Sequence, residues 1–157
     1  MPSTEGNRLS GPRPLHPAPK GMLYWLTIVI AATTIAAGVV QIAAPGFVLD
    51  LLDASSTPST RHFFAIVGMF MGVIGGALLH ALLMPGDHRV LLTWAAVQKF
   101  GAFVAVSVGV INDIFSGLGI AVALNDLLSA GVILWYLRSL AAWPAPSSDA
   151  TSEAIVR

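Results

Sequence analysis

Four stretches of the chain, residues 22–44, 62–84, 90–111 and 114–137, are apolar on every side, with Leu, Ile, Val and Ala spread around them rather than confined to one stripe. That pattern excludes amphipathic surface helices, and the lack of strict alternation excludes the strands of a membrane β-barrel. Each stretch holds 22 to 24 residues, and a bilayer core of ~30 Å needs about 20 residues of helix to cross it. Lipid offers the backbone no water, so a spanning segment must satisfy its own N–H and C=O groups as a helix. The pattern predicts an all-α, antiparallel four-helix bundle integral to a membrane.

The breaks between spans agree. Pro45-Gly46 is expected to end the first helix, Pro85-Gly86-Asp87 the second, and Asn112-Asp113 the third. After Pro58, either Ser59 or Thr60 is the expected cap of the second span. The links after spans two and three are so short that those neighbours should form antiparallel hairpins. The longer link after span one carries Phe47, Val48, Leu49, Leu51 and Leu52, interrupted by Asp50 and Asp53. It reads as a short helix lying along the membrane surface, with an irregular apolar loop as the alternative.

The ends of the chain read differently. Residues 1–21 carry five prolines, and residues 139–157 carry Pro144, Pro146 and a Ser-Ser-Asp run. Both are expected to be disordered tails around a transmembrane domain at 22–138. The first apolar stretch exceeds the 7 to 15 residues of a signal-peptide core, so it is read as a span, with cleavage before Pro45 as the alternative.

Composition narrows the function classes. Of 157 residues 55% are apolar and 10% charged, against roughly 25% charged in soluble domains. Eight basic and eight acidic side chains cancel, leaving no basic surface for nucleic acid. The absence of cysteine removes disulfides, thiolate nucleophiles and cysteine-bound metals. Nucleophile motifs, phosphate loops and zinc patterns are missing too, so no cofactor or metal is expected.

The basic residues fall on one side. Arg8, Arg13 and Lys20 precede span one, Arg89 separates spans two and three, and Arg138 and Arg157 follow span four. The other side has Arg61 alone. Cytoplasmic loops attract Lys and Arg, so both termini are expected in the cytoplasm, with the protein in the cell's inner membrane. Tyr24, Trp25, Trp94, Trp135, Tyr136 and Trp143 fall near the basic side, where amphipathic rings suit the interface.

Two ionisable residues lie at membrane depth, Lys99 and Asp126. A charge at a helix centre costs about 2.5–3.5 kcal/mol on insertion scales, so such residues usually pair or work. Counted from a turn at Asp113, both sit roughly 20 Å away at 1.5 Å per residue. They are expected to face each other as an ion pair or a neutral hydrogen-bonded pair. The pair reads first as a structural staple, next as a proton relay or substrate contact; in a third reading the two miss each other. Gln98 and Asn125 flank it and widen the polar patch.

His80 continues a row at four-residue spacing, Phe64, Gly68, Gly72, Gly76, His80. Overlapping GxxxG units of this kind let another helix approach closely, either within the bundle or in a second copy. Gly101, Ala105 and Gly109 form a similar row on span three. His80 lacks a metal-binding companion on its face and reads as an interfacial hydrogen-bonding group. Gln41 and His62 read as interfacial as well.

A first span ending at Pro45, a short apolar surface segment, a second span opening with Arg61 and carrying Gly68 and Gly72, and a compact final hairpin make a familiar layout. Over residues 22–138 the chain resembles the DoxX-like small four-span bacterial membrane proteins. The resemblance implies a four-helix bundle, and some members of that group are subunits or partners of membrane oxidoreductases and quinone-linked systems. It assigns no site residue. The expected function is a non-catalytic accessory or assembly subunit of a membrane complex, redox-linked if the resemblance holds, with a membrane protein or a second copy as partner. The alternative is a small-molecule or proton handler working at Lys99 and Asp126; a membrane enzyme ranks last.

Overall fold

The computed structural model describes residues 21–141, and the two expected tails lie outside them except at their inner edges. Five helices follow one another: α1 (Met22–Ala43), α2 (Pro45–Leu51), α3 (Pro58–Leu83), α4 (Arg89–Ile111) and α5 (Leu118–Ala141). No strand occurs among the described residues. All of them but α2 are long and apolar enough to cross a membrane. The chain is an all-α multi-pass membrane protein.

Boundaries follow hydrogen bonding more than hydropathy. The second long helix starts at Pro58, four residues before the apolar stretch, because Thr57 caps it by accepting the Thr60 amide at 3.2 Å. Thr57 is therefore the cap, in place of Ser59 or Thr60. Proline suits the first turn because its missing N–H would have no partner there. For the same reason Pro45 opens α2 rather than closing α1, and the break falls at Ala44.

The last span is displaced from 114–137 to Leu118–Ala141, so residues 139–141 are helix rather than tail. Its expected first residues are spent on ending α4. Asp113 adopts a left-handed φ of 56°, the Ile114 amide reaches back to Gly109 O at 2.8 Å, and the Asp113 amide to Val110 O at 3.1 Å. This is a Schellman cap with Asp where Gly is commoner. Asp53, with φ 54°, closes α2 the same way, its neighbour Ala54 bonding Leu49 O at 2.9 Å.

The spans assemble as two close pairs, α1 with α3 and α4 with α5, and the pairs touch each other more lightly. The short link between α3 and α4 does not make them close neighbours. A shared core of Tyr24, Ala31, Leu78, Leu82, Leu92, Ala95, Ala96, Ile133 and Tyr136 draws on all four spans. It sits toward the end of the bundle that carries Arg89 and Arg138. There Tyr24 Oη donates to Leu82 O at 3.0 Å, and Arg89 Nη2 donates to Leu140 O at 3.0 Å. Both bonds satisfy carbonyls that a helix end leaves open. At the opposite end the Ser116 amide donates to Leu52 O at 2.8 Å, tying the α4–α5 loop to α2.

Candidate functional site

The Lys99 and Asp126 side chains meet in the middle of the α4–α5 pair. Lys99 Nζ donates to Asp126 Oδ1 at 2.8 Å, and the side chains are 7% and 9% exposed. The register that joins them runs in sevens. Phe115 packs on Gly109, and Gly119 lies against Val106; seven residues on from Gly119 stands Asp126, and seven back from Val106 stands Lys99. One more step reaches Ile133 and Leu92, both fully buried. The chain doubles back at Asp113 and runs beside α4 before helix resumes. Counting from Asp113 therefore finds the partner even though α5 begins later than expected.

Asp126 takes one of the three N–H donors that an ammonium offers. Ser129, one turn along and buried, spends its hydroxyl on Asn125 O at 2.8 Å. The flanking groups are not drawn in. Asn125 and His80 are exposed, Gln98 is half-buried, and none of their side chains has a hydrogen-bond partner among the described residues. His80 thus lacks the bond expected of it. His62 is exposed beside Phe63. Gln41 packs its Cβ against Gly68 in the α1–α3 contact, and its Oε1 is buried without a partner.

The glycines divide by direction. A Cβ on Gly68 would come within 2.6 Å of Gln41 Cβ and 2.7 Å of Gly38 O, so Gly68 is a point of backbone contact with α1. Gly75, not Gly76, gives the next close approach, where an added Cβ would stand 3.1 Å from Ala31 O. Gly72 offers its amide to the approach of Gly38, but its own Cβ direction is open, as are those of Gly76 and Gly101. Gly109 is filled by the Phe115 ring. The cause is angular: on an ideal helix a four-residue step turns the row by about 40°, whereas a seven-residue step turns it by only about 20°. Gly68 and Gly75 share a face that Gly76 has left.

Gly38 and Gly75 are the packing residues that the four-residue row misses. A signal for Gly38 does exist. Tyr24, Thr27, Ala31, Thr34 and Gly38 recur at alternating steps of three and four, mostly small or hydroxyl-bearing, and all are buried. Thr27 and Thr34 return their hydroxyls to Leu23 O and Ile30 O, each at 2.7 Å, so they add no polar demand to the interface.

No three His, Asp or Glu side chains gather at metal-binding range among the described residues. Comparison with protein-family models, curated proteins and solved structures returned no match. Fold and site together define a small helical membrane protein with a buried ion pair between two of its spans.

Proposed function

We propose that the protein is a non-catalytic accessory or assembly subunit of a membrane complex. The observation that carries this reading is the outward face of α3. Gly72 and Gly76 sit in mid-span with open space where a side chain would stand, although Gly costs a helix about 1 kcal/mol relative to Ala. A small-residue face whose Cβ directions stay open within the chain suits the close approach of another membrane helix. The enclosed ion pair fits a staple better than a relay, since it presents almost no surface to a substrate. The DoxX-like layout makes a membrane oxidoreductase the first class of partner to test.

Gly76→Leu is expected to leave folded yield and thermal stability within about 0.5 kcal/mol of wild type, as for surface changes away from special features. It should abolish co-purification of a stoichiometric partner in mild detergent. Retention of the partner at wild-type stoichiometry would remove the basis of the proposal.

The orientation belongs to the same proposal. Arg89 and Arg138 mark one end of the bundle, and Trp25, Trp94 and Trp135 project outward near it, each more than half exposed. That end is placed in the cytoplasm, with α2 outside. The native chain has no thiol, so single cysteines report cleanly. Ser55→Cys should react with an impermeant maleimide added to intact cells, and Asp87→Cys only after lysis. The reverse pattern would invert the topology.

A further inference from the structure

At the α2 end the bundle opens into a cavity of about 500 Å³ between α2, α3 and the α4–α5 loop. This is within the 300–1,000 Å³ range of small-molecule sites. Much of its lining is apolar, with Phe63, Phe64, Val67 and Phe115 among the residues that form it. At its rim stand Asp53 and Asp113, the two residues that close α2 and α4 in left-handed conformation. Neither carboxylate has a hydrogen-bond or ion-pair partner among the described residues. No basic residue lines the space. Arg61, the nearest in sequence, is turned aside, its Nε bonded to Ser56 Oγ at 2.8 Å and its guanidinium lying over Gly46. The rim hydroxyl of Thr60 is already held by Ser55 O at 2.8 Å. The two carboxylates and the Ser55 hydroxyl are thus the polar side-chain groups left for an occupant, and only the carboxylates carry charge.

We infer that this cavity is a binding site for a lipophilic organic monocation, whose apolar body lies against Phe63, Phe64 and Phe115 while its charge is met by Asp53 and Asp113. The lining selects this chemistry against its rivals. A divalent metal ion held by two carboxylates keeps most of its water shell and so gains little from the apolar lining, and an anion would meet only negative charge. Phenylalanine rings favour a desolvated cation at their faces, which an organic cation offers and a hydrated metal ion does not. The site lies at the opposite end from the shared core and stands independently of the subunit proposal.

Tetraphenylphosphonium and tetraphenylborate have the same shape and opposite charge, which isolates the contribution of the two carboxylates. Binding is measured by equilibrium dialysis to the full chain in nanodiscs, with empty nanodiscs as the blank. The cation is expected to bind above blank and the anion not. Asp53→Asn with Asp113→Asn should weaken the cation about tenfold, the size expected for two partly exposed ion pairs. Asn tolerates the left-handed conformation as Asp does, so both caps survive. Val67→Trp, which fills the cavity, should abolish binding. Binding of both ions alike, or a cation affinity unchanged in the Asn variant, would overturn the inference. So would cation binding that survives Val67→Trp in a folded protein.

Discussion

Replacing Lys99 with Met or Asp126 with Leu is expected to cost about 3–5 kcal/mol of folding stability in either case, the usual penalty for leaving one member of a buried pair alone. The pair is 2.8 Å apart and nearly closed to its surroundings, so a survivor loses its opposite charge without gaining water. It must stay charged in an apolar setting, change protonation, or reach for the membrane surface by distorting its helix. The double substitution removes the charges together and substitutes apolar side chains of comparable length. It is expected to regain most of what either single change loses, because isosteric apolar replacements of buried ion pairs are often neutral. Monodisperse yield in detergent and thermal unfolding across the four proteins measure the coupling. Strictly additive losses would show that the two side chains do not interact. A double variant that folds but fails to support its complex would give the pair a working role beyond holding α4 against α5.

The second large effect lies in the other helix pair. Gly38→Leu is expected to separate α1 from α3 and cost ~3 kcal/mol, the upper end for overpacking. A Cβ there would stand 2.5 Å from Gly68 O and 2.8 Å from Gly72 N, and backbone cannot swing aside as a side chain can. Apart in lipid, the two helices lose packing contacts without any hydrophobic force to restore them. The expected readout is a collapse of monodisperse yield for Gly38→Leu, set against wild-type behaviour for Gly76→Leu. Equal yields of the two would mean that α1 and α3 are held by something other than this contact.

These two contacts differ in how far the sequence discloses them. Charges within apolar stretches of spanning length admit few solutions, and opposite signs equally distant from a turn predict the Lys99–Asp126 contact by counting alone. The four spans and the short helix before Pro58 are legible for a similar reason: lipid forces every crossing segment to be helical, and helical length is arithmetic. The α1–α3 contact is not legible in this way. Gly68, Gly72, Gly75 and Gly76 are chemically alike along the chain, and which of them meets α1 depends on rotation about the helix axis, set by packing against Gly38 and Ala31. Helix ends escape for another reason, since Thr57 and Asp113 act through single hydrogen bonds that hydropathy does not register. The cavity between Asp53 and Asp113 lies furthest from the sequence. Those residues are 60 positions apart, and the bond from Ser116 to Leu52 joins their two loops. Local chemistry and the bilayer thus determined the number, length and nature of the elements. Outside the Lys99–Asp126 contact, tertiary packing decided which faces touch, because in lipid apolar residues favour no face over another and the choice falls to the closeness of backbone approach.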